Sequence, residues 1–182
     1  MPRGAFPADD SSNLVEPTSA RPEGLVGPSD IGSGEAVWFA WQRLFILVPN
    51  RVRPSSDVAA AFEKHQATLG EPLMFVVIVQ ESAERPGDEL QEAHRGQLMR
   101  LEQKLAGHTF VVRSAGFVGS FFISILSRVI MATRRRNVPQ ALHTDFEPAA
   151  TWMARHLKPE KVSPEAIAAV LRYVDGLTRA QG

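Results

Sequence analysis

An α/β fold is predicted for this sequence, with a mixed, mostly parallel sheet of about five strands and helices packed mainly on one face. Three observations carry that expectation. Leu73–Val79 is a continuous apolar run of strand length, the pattern of a strand covered on both faces. Thr109–Arg113 is a second such run, and the small-residue turn Ser114-Ala115-Gly116 leads from it into a long apolar helix, Phe117–Thr133. Segments with helical periodicity lie between the runs, so the strands are joined by crossovers, as parallel neighbours require.

Met1 to Gly34 is rich in Pro, Ser, Gly and acidic residues, with Leu14-Val15 and Leu25-Val26 as isolated apolar pairs. Such a stretch does not bury enough surface to offset its ordering entropy, and a disordered tail over 1–34 is expected. Order begins at Glu35. Ala36–Trp41 and Arg43–Val48 are apolar and aromatic strands, with Gln42-Arg43 as a tight turn between them or as the bend of one longer strand. Trp38 and Trp41 have opposite parity on a straight strand, so one of them should face outward unless a bend intervenes, and an outward Trp near a sheet edge would be an interface candidate. Ser55 or Ser56 caps a helix through Leu69, with Val58, Ala61, Phe62, His65 and Leu69 on its inner face, and Gly70 stops it. After the Leu73 strand and a polar loop, Asp88 opens a helix to about Ala106. Leu90, His94, Leu98, Leu101 and Leu105 share one face there, and Gly107 ends it.

The Phe117–Thr133 helix is too apolar for an ordinary surface helix. Ser120, Ser124, Ser127 and Arg128 make one narrow polar stripe on it. A membrane span needs roughly 20 apolar residues with few charges, and this segment falls short. It is therefore expected to be buried nearly all round, with Phe121 and Ile125 in the core, or to lie against a partner. Val138–Leu142 reads as a weaker strand confined to an edge by Pro139. Thr144-Asp145-Phe146-Glu147 is a capping-box pattern opening a helix to Leu157. Ser163-Pro164 opens a last amphipathic helix, with Ile167, Val170, Leu171, Val174 and Leu177 aligned. The expected organisation is thus a tail at 1–34, an α/β domain at 35–158 and a C-terminal helix within 159–182.

Formal net charge is zero, which argues against general nucleic-acid binding. Cysteine is absent, so disulfides and thiolate zinc sites are excluded and a reducing compartment is compatible. Met1-Pro2-Arg3-Gly4 leads into acidic, Pro-rich sequence with no apolar signal core, so the cytoplasm is the expected location. None of His65, His94, His108, His143 and His156 forms a helical i, i+4 pair with another, and neither a metal nor a cofactor is expected. Gly116-Phe117-Val118-Gly119-Ser120 follows a strand and opens a helix, so its amides could cradle a phosphate. It matches neither the Walker pattern nor the dinucleotide fingerprint, and close helix–sheet approach is the simpler role for its glycines. Arg134-Arg135-Arg136 suits a helix C-terminus, or contact with an anionic partner or membrane surface.

Over Ala36–Leu157 the element order resembles that of STAS domains, the fold of anti-sigma-factor antagonists, and more narrowly the SpoIIAA-like proteins. Thr109-Phe110-Val111-Val112 is similar to the family's late apolar strand. The run from His143 to Met153 resembles the family ending, in which a strand leads into an acidic cap, an Ala pair and a Trp. The resemblance implies a non-enzymatic regulatory or scaffolding domain that works by protein–protein contact. It also implies a phosphorylated hydroxyl after the central strand. Ser82 is the hydroxyl in that loop, but the family's Asp-Ser-Ser-Gly-like motif is missing, and Glu81 and Glu84 would repel a phosphate there.

The expected contact surface comprises Ser82, Gly116, Phe117, Ser120, Ser124, Arg128, Arg134, Arg135 and Arg136. A protein partner of unknown identity, a homodimer or peripheral membrane contact would each fit it, with no nucleic acid expected. The alternative is a module binding a lipid-like molecule in a pocket beside helix 116–133. A hydrolase or transferase with a dispersed site ranks below both, since no catalytic motif is present.

Overall fold

The structure, a computed structural model, describes residues 20–31, 36–50, 56–84, 90–113, 116–133, 137–157 and 162–180. The strands are β1 (Val26–Ile31), β2 (Ala36–Trp41), β3 (Leu44–Pro49), β4 (Leu73–Gln80), β5 (Leu105–Arg113) and β6 (Gln140–His143). The helices are α1 (Ser56–Leu69), α2 (Leu90–Leu101), α3 (Gly116–Thr133), α4 (Phe146–Leu157) and α5 (Pro164–Arg179), with a 3-10 turn at Glu102–Lys104. All six strands lie side by side in chain order. β1, β2 and β3 form an antiparallel meander, and β3, β4, β5 and β6 run parallel. The α/β class, the mixed and mostly parallel sheet and the extra C-terminal helix are as the sequence predicts.

The strand count rises from about five because β1 falls inside the stretch expected to be a tail. Its apolar content is low, but backbone pairing with β2 needs no particular side chains. Leu25 is buried beside it, and the Trp41 Nε1–H donates to the Glu23 carbonyl at 2.9 Å. Arg21 adds donors to the Leu25 and Gly27 carbonyls at 2.8 and 2.6 Å. The rest of the expected tail, 1–19 and 32–34, lies outside the described residues.

Helices cover both faces of the sheet, which corrects the expectation of packing mainly on one. The crossovers β3-α1-β4, β4-α2-β5 and β5-α3-β6 all step in the same direction, and crossovers of one hand then place α1, α2 and α3 on the same face. Phe75, Val77 and Val79 of β4 meet Phe62 of α1, Leu98 and Leu101 of α2, and Phe122 and Leu126 of α3 on that side. The alternate residues Met74, Val76 and Ile78 meet Met153 and Leu157 of α4 and Leu171 and Val174 of α5. β4 is buried along its whole length, so only a second helical layer satisfies its pattern. The two tryptophans of β2 face opposite layers, Trp41 buried and Trp38 partly buried. Trp38 stacks on Phe45 at 5.3 Å in the first layer and Trp41 packs in the second, so neither projects free of the helical layers.

The long helix expected from Asp88 to Ala106 ends early. α2 stops at Leu101, the 3-10 turn follows, and Leu105 and Ala106 belong to β5. Leu98, Leu101 and Leu105 all pack into one core cluster, so their helical spacing also suits a helix that turns into a strand. Gly107 is not a helix stop. It sits within β5, where an added Cβ would come within 2.9 Å of Met74 Cε and 3.2 Å of the Trp152 ring. α1 keeps its expected bounds, although Leu69 is exposed rather than inward. Glu63 of α1 accepts from Arg100 at 2.7 Å and Lys104 at 2.8 Å, which fastens α1 to the end of α2.

α5 follows its sequence signals, whereas at α4 the Thr144 hydroxyl donates to Asp145 Oδ2 and the Glu147 carboxylate accepts from Arg172 instead of closing the expected capping box. α4 buries Phe146, Ala149, Ala150, Met153, Ala154 and Leu157. Ser163 caps α5, accepting from the Ala166 N–H at 3.2 Å with Pro164 in the first turn, and Ile167, Val170, Leu171 and Val174 form its buried stripe.

Candidate functional site

α3 departs from the all-round burial expected of it. Phe122 and Leu126 are fully buried against the sheet, and Gly119 and Val129 join them. Gly116, Ser120, Ser124 and Arg128, one helical step of four apart, form an exposed line on the opposite side. Phe121 and Ile125 flank that line on one side and Ile123 and Ile130 on the other, all half-buried. Phe121 and Ile125 are thus boundary residues rather than core. Met131 extends the exposed side and is 66% exposed. The 18-residue helix carries no acidic residue, and Arg128 is its sole charge.

The chain enters α3 through Gly116, whose φ of +65° an L side chain rarely adopts. A Cβ there would meet open space, so the glycine answers to backbone conformation and not to close helix–sheet approach. Ser120 Oγ donates to the Gly116 carbonyl at 3.0 Å, turning its hydroxyl back on the first turn. Ser82 lies exposed in the turn after β4, at the same end of the sheet as Gly116. The Glu84 N–H donates to the Asn50 carbonyl at 2.6 Å and holds that turn to the end of β3. The Phe117 side chain and Arg134, Arg135 and Arg136 lie outside the described residues.

A polar cluster that sequence reasoning missed occupies the carboxyl ends of β4 and β5. Gln80, at the end of β4, donates through Nε2 to Asp175 Oδ1 at 2.9 Å and to Thr178 Oγ1 at 2.8 Å, both on α5. Asp175 Oδ2 lies 3.2 Å from Arg179 Nε and 3.8 Å from Arg113 Nε. Arg113 also donates to the Thr144 carbonyl at 2.8 Å, and its guanidinium sits 4.6 Å over the Phe146 ring. Gln80 and Asp175 are both buried, so each supplies the partner the other needs out of water. The signal in the sequence was a carboxylate four residues past Leu171, on the apolar side of α5.

At the β6 edge the His143 and Trp152 ring centroids are 6.1 Å apart, and Trp152 lies 4.3 Å from His156. His143 Nε2 is buried with no hydrogen-bond partner, and desolvation holds the imidazole pKa below its usual value. His156 Nδ1 lies 2.8 Å from the Trp152 carbonyl, a contact that fits a ring N–H donor. Among the described residues no three His, Asp or Glu side chains group as metal ligands would, and no helix is long and apolar enough to cross a membrane.

An open cleft of about 480 Å³ lies between the Ala20–Glu23 segment, the Trp41-Gln42 turn and Ala166, Ala169 and Val170 of α5. It does not touch α3, beside which the ligand pocket of the alternative reading was expected. The strands follow one another without a reversal of order, so the sheet lacks the switch-point crevice that doubly wound folds use for nucleotides. Compared with the models of known protein families and with curated proteins, the chain matches none.

Proposed function

We propose that this chain is a non-enzymatic regulatory or scaffolding domain that acts through protein–protein contact, with the outer face of α3 as its contact surface. One observation carries the reading. After the fold has buried Phe122 and Leu126, the same helix still leaves part of Phe121, Ile123, Ile125 and Ile130 exposed, on either side of the exposed line Gly116, Ser120, Ser124 and Arg128. Small side chains let a partner approach closely, and the flanking apolar groups gain roughly 25 cal/mol per Å² when covered. The STAS and SpoIIAA-like resemblance supports the same class of function, and the reading places the protein in the cytoplasm.

A photo-crosslinking residue at Ser124, with Thr151 on the exposed side of α4 as control, tests it in native cells. A protein adduct specific to position 124 supports the reading, and an adduct of two copies identifies the partner as a second chain. Adducts equal at both positions, or to lipid alone, overturn it.

A further inference from the structure

We propose that the outer side of the α2–α3 layer is oxidation-sensitive, with Met131 on α3 and Met99 on α2 as methionine sulfoxide sites for a peroxide-class oxidant. The chain has no cysteine and five methionines, so thioethers are its only sulfur nucleophiles. The four described methionines divide sharply. Met74 and Met153 are 0% exposed, inside the β4 and α4 core, whereas Met99 on α2 is 56% exposed and Met131 on α3 is 66% exposed. α2 and α3 pack on the same face of the sheet. Met131 lies three residues past Arg128, a spacing that puts the two side chains next to each other on the solvent side.

The chemistry is a two-electron oxygen transfer. The thioether sulfur attacks one peroxide oxygen, the O–O bond breaks, the sulfur gains that oxygen as a sulfoxide, and the peroxide leaves as water or alcohol. No bond of the chain is cleaved, and the change is reversible by enzymes that reduce methionine sulfoxide. An apolar group becomes a strong hydrogen-bond acceptor beside the Arg128 guanidinium. A contact that relies on apolar cover at this end of α3 loses it. This regulatory step rests on the reading of α3 as the contact surface, whereas the site assignment rests on exposure alone.

The test exposes the intact protein to limiting hydrogen peroxide and follows each methionine by peptide mass mapping. Folded protein is also tracked by its melting transition and its retention on a hydrophobic-interaction column. Met131 and Met99 should oxidise at least about tenfold faster than Met74 and Met153, because the buried pair reacts only through local opening. The melting transition should hold while retention falls, and Met131→Leu, which keeps the apolar bulk, should remove most of that fall. Equal rates at all four positions, or slow reaction at Met131, would overturn the site assignment. Fast oxidation with unchanged retention would overturn the effect on the face. Neither result depends on a partner, so failure of the contact reading at Ser124 is seen separately.

Discussion

Gln80 and Asp175, 95 residues apart in the chain, meet at 2.9 Å between the end of β4 and the apolar side of α5. The pair is the polar core of the lock that seats the C-terminal helix on the sheet. Removing one partner of a buried polar pair costs more than the pair contributes, because the other is left without its bond. Asp175→Ala takes the carboxylate from Gln80 Nε2, which keeps the Thr178 hydroxyl and the Asp175 main-chain carbonyl, and leaves Arg113 and Arg179 facing each other without their shared carboxylate. Both arginines keep access to water, which discounts the electrostatic part. The expected loss is about 1–3 kcal/mol, read as a lower urea midpoint with an unchanged slope. Asp175→Asn keeps an acceptor for Gln80 and should lose less. Equal stability of the alanine variant and the parent would show that the lock contributes nothing.

Desolvation of its ring, with Nε2 buried and lacking a hydrogen-bond partner, makes His143 a source of pH dependence. Its folded-state pKa lies below the ordinary value near 6.5, so the unfolded chain takes up the proton first as pH falls. Stability should be full above that ordinary value. It should then decline as pH drops toward the lowered folded value, with no further loss from this group once both states are protonated. Urea midpoints measured across this range should show the decline, and His143→Gln should flatten it. A variant with the same pH profile as the parent would assign the effect to other groups.

Some of the fold was legible because local signals and tertiary packing agree. Gly70 marked the end of α1, Ser163-Pro164 opened α5, and the unbroken apolar run of β4 demanded cover on two faces. That last demand conflicted with a sheet covered mainly on one face, and α4 with α5 resolved the conflict. β1 was illegible because a strand held by backbone pairing leaves little trace in side-chain pattern. The α2–β5 junction misled because Leu98, Leu101 and Leu105 enter the same core by either route. Gly107 looked like punctuation, while its reason is the Met74 and Trp152 side chains above it. The exposed line on α3 was readable from the spacing of Ser120, Ser124 and Arg128, whereas the cluster at Gln80 depends on residues no local pattern connects.

Adjacent phenylalanines on α3 should behave differently. Phe122 is fully buried, and Phe122→Ala should cost about 3–5 kcal/mol through lost transfer energy and a cavity. Phe121 is only partly buried, and Phe121→Ala should cost about 1 kcal/mol, as a boundary contact does. The same change should weaken whatever crosslinks through Ser124. Thermal denaturation and association measured on both variants separate the roles. A large stability loss at Phe121 with unaltered association would return that residue to the core.

The C-terminal helix gives the sharpest test of the two-layered sheet. An isolated helix of this length is marginal in water, so its order comes from the surface it buries. Here that surface is its own domain: Ile167, Leu171 and Val174 are fully buried in the cluster that also holds Phe39, Ile46 and Ile78. Deleting residues after Pro159 would uncover an apolar sheet face and free Gln80 and Arg113 of their α5 partners. The product should aggregate or lose its cooperative transition rather than persist as a folded monomer. A single Leu171→Ala change should cost about 2–5 kcal/mol in the intact chain, while Ala169→Ser, at an exposed position of the same helix, should change little. Soluble, cooperatively melting protein after the deletion would mean that the α5 layer is not needed to cover the sheet, and the packing of β4 on that side would have to be satisfied by α4 alone.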